Sequence, residues 1–174
     1  MNQLPISTVV YLLRDGSGST EVFLGRKAPK PKAVKRGIAY LRIGYGGDLE
    51  AGKDLSPAHC ASRELGEESD FTGRPEDMKA VAQIKIIDEA GPRLMLHYFL
   101  LRKWSGEPGE SDEILDGKWY PLGSLPDDII PSDTHILPRV LQGEKLIGWM
   151  EYATDPDGKL RLVRFELSPV ESLS

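Results

Sequence analysis

The sequence predicts an α/β domain built on one mixed sheet with helices packed against it. Apolar, β-branched runs recur along the chain and are separated by turns marked with glycine and proline. One segment carries a full set of helix-start signals ahead of an apolar stripe. The strand-like and helix-like segments mix without a strict β-α-β alternation, which points to a mixed rather than an all-parallel sheet. At 174 residues the chain suits one domain spanning 1–174, long enough to bury a core without cross-links.

Taken in order, STVVYLLRD (7–15) is β-branched and apolar and reads as a buried strand. GSGS turns the chain, and TEVFLGRK (20–27) returns as a second strand. APKPKAVKRG (28–37) is basic, contains prolines and reads as an exposed loop. IAYLRIGYGGDLEAG (38–52) is poor in helix formers and rich in glycine, so strand and loop are expected. SPAHCASRELGEES (56–69) is the clearest helix, with Ser56 as its cap and Pro57 at its first position. Ala58, Ala61 and Leu65 form its apolar stripe, and it is expected to end near Ser69 and Asp70. MKAVAQIKIID (78–88) and RLMLHYFLLRKW (93–104) read as strands joined by EAGP. GEPGESDEILDG (106–117) reads as a polar, acidic loop, and KWYPLGSLP (118–126) as a short strand and turn. SDTHILPRVLQGE (132–144) reads as a helix capped by Ser132 or Asp133 and shortened or kinked at Pro138. KLIGWMEYAT and KLRLVRFELSP flank DPDG, a strong hairpin signal.

Composition narrows the function classes. Apolar residues make up 40% and charged residues 28%, as in an ordinary soluble globular protein. A net charge of −5 argues against a nucleic-acid polymer as partner, since that usually requires a basic excess. A single cysteine excludes an intrachain disulfide. The N-terminal run lacks a basic region ahead of it and reads as a strand rather than a signal peptide. No stretch approaches the roughly 20 apolar residues that span a bilayer, so no membrane partner and a cytoplasmic location are expected.

CASRELGEESDF (60–71) raises the functional question. Residues three and four apart share a helical face, so Glu64, Glu67 and Glu68 stand together and repel. A charge run of this kind usually just faces water. The Gly-rich turn GYGGDLEAGKD ahead of the helix, and a second acidic group at Glu110, Asp112 and Glu113, favour a hard cation instead. Mg²⁺ takes oxygen ligands and often binds together with substrate phosphates.

GGDLEAGKDLSPAHCASRELGEESDF (46–71) resembles the Nudix box, the signature of the Nudix hydrolases. Arg63, Glu64, Leu65, Gly66, Glu67 and Glu68 reproduce its Arg-Glu-apolar-x-Glu-Glu core, and Gly46 and Gly47 match its start. The chain departs from the pattern in three places. Lys53 stands where the family has a Glu, two extra residues lie between Gly47 and Arg63, and Asp70 replaces the closing Gly. In the family that first Glu pairs with the Arg, and here Glu50 or Asp54 is the candidate replacement. The closing Gly suits a left-handed helix end, which Asp adopts less readily.

The resemblance extends over most of the chain and is strongest to the MutT-like oxidised-purine-nucleoside triphosphatases. It implies a Nudix-type α/β/α sandwich with a mixed β-sheet. It also implies Mg²⁺, or Mn²⁺, as cofactor for hydrolysis of a nucleoside diphosphate linked to another group. Carried over residue by residue, the metal ligands are the Gly46 carbonyl, Glu64, Glu67, Glu68 and Glu113. Arg63 orients the carboxylates, and Glu64, Glu67 or Glu113 takes the proton from water. Substrate-pocket positions fall on Thr8, Lys27, Ile43, Ile130, Ser132 and Asp133. Of the purine-reading residues only Asp133 keeps its type, because isoleucine cannot supply the hydrogen bonds of Asn or Trp. The implied substrate is a small nucleotide: a purine nucleoside triphosphate, oxidised or not. ADP-ribose or a nucleotide sugar is the alternative. The changes in the box also admit a Nudix-fold nucleotide-binding protein with little catalysis. A monomer or homodimer is expected.

Other chemistry-bearing residues read as structural. His97 lies among apolar strand residues and His59 on the surface, while His135 falls near the base pocket. Cys60 reads as a small core residue, and Trp119 and Tyr120 as packing residues. The basic segment KAPKPKAVKR (27–36) reads as solvated, and would attract phosphates only if it lay beside the site.

Overall fold

A computed structural model describes residues 2–174. Its elements in chain order are β1 (Ile6–Asp15), β2 (Thr20–Lys27), α1 (Pro31–Lys35), β3 (Arg42–Ile43), α2 (Pro57–Glu68), β4 (Lys79–Asp88), β5 (Gly91–Leu101), β6 (Ile114–Pro121), α3 (Asp133–Val140), β7 (Lys145–Thr154) and β8 (Leu160–Val170). A 3₁₀ turn, Pro75–Asp77, precedes β4.

β1 organises the molecule. Along most of its length it runs parallel to β5, from the Ile6–Met95 pair to the Leu12–Leu101 pair. At its end it turns to an antiparallel partner, with Leu13 opposite Val22 of β2. The sheet therefore reads β3-β2-β1-β5-β4-β7-β8, with β6 also paired to β2. Parallel β1–β5 and β4–β7 pairs among antiparallel neighbours make it a mixed sheet. At the β7–β8 turn the Asp155 carboxylate accepts from the amides of Asp157 and Lys159, as the DPDG signal predicts.

Side-chain alternation along β1 divides the core between two faces. Val9, Tyr11 and Leu13 join Ile136, Leu137 and Val140 of α3 on one face. Val10 and Leu12 meet Ala61 and Leu65 of α2 on the other. Helices thus cover both faces of the sheet, as an α/β/α sandwich requires. No helix among the described residues is long and apolar enough to cross a membrane.

Four local differences from the sequence expectations have physical causes. The basic segment is not all loop: Pro31 opens the short helix α1, and Ala33 is buried beneath it. β6 starts at Ile114 rather than Lys118, because Ile114 fills the space left by the absent side chain of Gly25 in β2. Ser132 and Asp133 do not cap α3; both side chains turn inward toward Tyr98, and the helix ends by Val140 two residues after Pro138. α2 needs no left-handed residue at its end. Ser69 is extended at φ −150°, and its hydroxyl bonds Leu65 O at 2.6 Å and accepts from Phe71 N at 3.0 Å. Asp70 therefore replaces a glycine at no conformational cost.

Candidate active site

α2 is placed by its own start signals. The Ser56 hydroxyl accepts from His59 N at 3.2 Å, and Pro57 opens the first turn. Leu65 is fully buried against β1 and β5; Glu67 stands outward, half-exposed, while Glu68, one turn on from Leu65, is itself buried. The strand-like segment Gly44–Gly47 lies against β1 through Val10–Tyr45 hydrogen bonds and Thr8 N donating to Gly47 O at 2.9 Å. That contact brings Gly46 and Gly47 to the acidic end of α2.

Arg63 is the hub of the site. Its guanidinium forks onto Asp54 at 2.8 and 2.7 Å, bonds Glu64 Oε1 at 2.7 Å and reaches Glu67 at 3.1 Å. It also donates to Asp48 O at 3.2 Å. Asp54 supplies the carboxylate missing at position 53: its side chain is 2% exposed, whereas Glu50 comes only within 3.8 Å. Lys53 is half-exposed and pairs with Glu50. The Arg63 fork lowers the Asp54 carboxyl to about 2, and the Arg63 guanidinium is raised in turn.

Glu64 and Glu68 flank the glycine pair. A Cβ on Gly47 would come within 2.4 Å of the Glu64 carboxyl carbon, and the Gly46 amide donates to Glu68 Oε2 at 3.2 Å. Lys27 joins Glu68 at 3.3 Å to Glu113 at 3.5 Å, and Lys30 holds Glu113 at 2.6 Å. Burial pushes Glu64 and Glu68 above the usual carboxylate range, opposed by Arg63 and Lys27 respectively. The Lys30 hydrogen bond draws Glu113 down. Glu67 stands at the rim, half-exposed.

Gly46, Glu64, Glu68 and Glu113 therefore come together from segments far apart in the chain, with Glu67 attached through Arg63. Repulsion among them is relieved by arginine and lysine, a solution that the helical spacing alone did not reveal. Among the described residues no group of three His, Cys, Asp or Glu side chains has the spacing of a formed metal centre. The donor set still fits a hard divalent ion: it is all oxygen, its Glu64 and Glu68 carboxylates are mostly buried, and the absent side chain at Gly47 leaves room for the Glu64 carboxylate.

The glycines give a paired expectation. Gly47→Ala displaces only the Glu64 carboxylate, so it lowers turnover roughly 10²-fold with little change in melting temperature. Gly46→Ala meets the Thr8 carbonyl at 1.9 Å, so backbone must move and the melting temperature falls as well. Equal melting temperatures for the two variants in calorimetry would contradict this placement.

The expected substrate pocket is arranged differently from the box. Thr8 is buried behind Gly47, its hydroxyl 3.4 Å from both Gly47 O and Cys60 Sγ. Ile130 and Asp133 are buried, and Ile43 is half-buried between the two core clusters. Asp133 is sealed by Tyr11, Tyr98 and Ser132, and burial raises its carboxyl to about 7. The folded state thus holds this proton more tightly than the unfolded chain, whose carboxyl titrates near 4. The resulting stability is present below pH ~4 and lost as pH rises toward ~7. Melting temperature should therefore fall from pH 5 to pH 7.5 more steeply in the wild type than in Asp133→Asn. Parallel profiles in differential scanning calorimetry would refute it.

Of the remaining singled-out residues, Cys60 and Trp119 pack, while His59 and His135 are exposed. Cys60 is buried, and Trp119 stacks on Trp104 at 5.5 Å beneath Arg14. His135 is exposed, touches Phe165 with ring centroids 4.3 Å apart and lines a groove of about 580 Å³ between α3 and β8, away from the carboxylates. The sequence did not single out Gly47's approach to Glu64, or Asp48, Lys30, Lys32 and Arg36. Their signal was the opposed charge of the 27–36 and 48–68 segments.

The NUDIX domain pattern matches residues 4–140. An oxidized purine nucleoside triphosphate hydrolase of Danio rerio is 30% identical over 169 residues, covering 95% of this chain and 96% of that one. A MutT protein of Bacillus halodurans superimposes with a TM-score of 0.70 at 23% identity, covering 94% of this chain and 97% of that one. A MutT NUDIX hydrolase of Burkholderia pseudomallei superimposes with a TM-score of 0.62 at 22% identity, covering 80% and 99%. The fold expected from the resemblance is the one observed.

Proposed function

The chain belongs to the NUDIX family of hydrolases, and from that membership we propose that it cleaves a purine nucleoside triphosphate, oxidised purines included, to a nucleoside monophosphate and pyrophosphate with Mg²⁺ or Mn²⁺ as cofactor. The observation that carries this reading is the placement of Glu64 and Glu68 about Gly46 and Gly47, with Arg63 and Asp54 locked behind them. The Asp54 partner also answers the departure at Lys53 that favoured a non-catalytic protein. The near full-length match to the Danio rerio hydrolase supports the substrate class. A net charge of −5 supports a free nucleotide rather than a nucleic-acid polymer; the cytoplasm is the proposed compartment.

The Gly46 carbonyl, Glu64, Glu68 and Glu113 would hold the ion, with Glu67 at the rim. When bound, the ion supplies Lewis acidity and offsets the charge of the phosphoanhydride. Arg63 holds Glu64 by Oε1, which leaves Oε2 to accept a proton from the attacking water. Water oxygen bonds to phosphorus as the anhydride P–O bond breaks, and pyrophosphate leaves. Glu64 suits this task better than its neighbours. Glu67 is half-exposed, and Glu113 is held by two lysines. Asp54 keeps the Arg63 fork from swinging, which fixes Glu64 in turn.

A panel of dGTP, oxidised dGTP, ADP-ribose and a dinucleoside polyphosphate, each incubated with Mg²⁺ and resolved by chromatography, tests the proposal. Monophosphate and pyrophosphate are expected from the triphosphates. Cleavage of ADP-ribose alone would move the assignment to the other hydrolase class. Nucleotide binding with no turnover would make the chain a binding protein.

A further inference from the structure

The basic segment does not face empty solvent. Its side chains pair with Asp48 and Glu113, on either side of α2 in the chain, and divide into two sets. Lys32 and Arg36 of the α1 region grip Asp48, at 2.5 and 3.5 Å, and Asp48 is itself tied to Ser7 at the start of β1. Asp48 is not among the proposed metal ligands, so this grip does not depend on a metal ion. The backbone is pinned as well: Ala28 N donates to Glu113 O at 2.9 Å, Tyr40 N to Lys27 O at 2.8 Å, and Ala33 is buried. Lys30 belongs to the other set. It stands on this anchored arm, is 43% exposed, and its ammonium is committed to Glu113, a proposed ligand.

Glu113 cannot serve both partners fully. A divalent ion drawing on its oxygens would stand close to the Lys30 ammonium, and like charges at that range repel. Lysine has a flexible four-carbon stem and a point charge that re-aims easily. The nearest new anion is the one that arrives with the metal, the polyphosphate of the substrate.

We propose that Lys30 is a phosphate clamp on an anchored arm: it neutralises Glu113 in the substrate-free protein and transfers to the unesterified terminal phosphates of a nucleoside triphosphate when a divalent ion takes Glu113. The inference rests on the metal-hydrolase reading above and deepens it by naming what the arm selects. A terminal phosphate carries more charge than a phosphate esterified on both sides, so the clamp favours triphosphates over ADP-ribose-type bridges. Lys27 shares the same geometry at Glu68 and Glu113, but it is more buried and has less freedom to move.

The test gives effects of opposite sign. Mn²⁺ is titrated by electron paramagnetic resonance into the substrate-free protein, and steady-state kinetics are measured on dGTP. Lys30→Gln should bind Mn²⁺ roughly 3- to 10-fold more tightly, because a competing charge is gone. It should also raise KM for dGTP about 10-fold, with the loss in KM rather than kcat and a weaker dependence on salt. Lys30→Arg should restore KM. A lysine that merely holds the loop would loosen Mn²⁺ binding when removed, so unchanged or weaker Mn²⁺ affinity, or an unchanged KM, overturns the clamp. If the wild type binds Mn²⁺ and turns over while the variants match it, only the clamp fails. If the wild type does neither, the metal-site reading fails and the clamp with it.

Discussion

Glu68→Gln is expected to lower kcat by roughly 10³-fold, a loss of about 4 kcal/mol of transition-state stabilisation, while the protein melts no lower than the wild type. The two halves of this expectation come from one environment. The Glu68 side chain is 8% exposed, and burial raises its pKa. A carboxylate in that position is strained as an anion, and the isosteric amide relieves the strain. Gln keeps an oxygen for the Gly46 amide, and Lys27 keeps Glu113 at 3.5 Å. Activity is expected to fall because the proposed chemistry needs the charge, and stability to hold because burial disfavours the anion more than Lys27 and the Gly46 amide favour it. Pyrophosphate release and calorimetry on the same preparation check both halves. Near-normal turnover would remove Glu68 from the metal set; a large drop in melting temperature would make it a structural residue.

The residues legible in the sequence are those whose partners lie one helical turn away. Glu64, Glu67 and Glu68 could be placed on one side of the helix from their spacing alone, and the cap at Ser56 from its chemistry. Residues whose meaning depends on distant partners were not legible. Lys30 meets Glu113 across 83 positions, and Lys32 meets Asp48 across 16. Nothing local in a lysine-rich, proline-containing run distinguishes a solvated loop from an arm laid on an acidic site. Ser132 and Asp133 show the same limit from the other side. Both are good cap residues, but two tyrosines buried in the strands offered their polar groups stronger partners than the α3 backbone did. The replacement for the family's Glu was legible only as a choice between Glu50 and Asp54. Which of them forks with Arg63 is decided by how the loop 48–54 folds back: Asp54 meets the guanidinium at 2.7 Å and Glu50 stays at 3.8 Å.

That decision can be tested through an asymmetry in stability. Arg63→Ala should destabilise the protein by about 3–5 kcal/mol, since removing one partner of a buried pair strands the other. For a chain of this length that is a melting-temperature loss of roughly 6–20 °C. The stranded group is Asp54, 2% exposed and otherwise supported by the Glu50 amide at 2.9 Å and the Cys60 thiol, neither of which carries a compensating charge. Asp54→Asn breaks the same pair from the other end and should cost less, about 1–3 kcal/mol. Arg63 is 16% exposed and keeps Glu64 and Glu67, so its charge is never left alone. Both variants lose turnover, because Glu64 is positioned through Arg63. Lys53→Glu restores the family residue in sequence but not in space. Its side chain is 53% exposed and turned toward Glu50, so it should leave turnover within about 2-fold of wild type, as surface changes usually do. Combined with Asp54→Asn it should rescue nothing. Rescue by the double variant would mean that the 48–54 loop can fold back with position 53 in the fork, and that Asp54 is one of two interchangeable partners rather than the one this loop length selects.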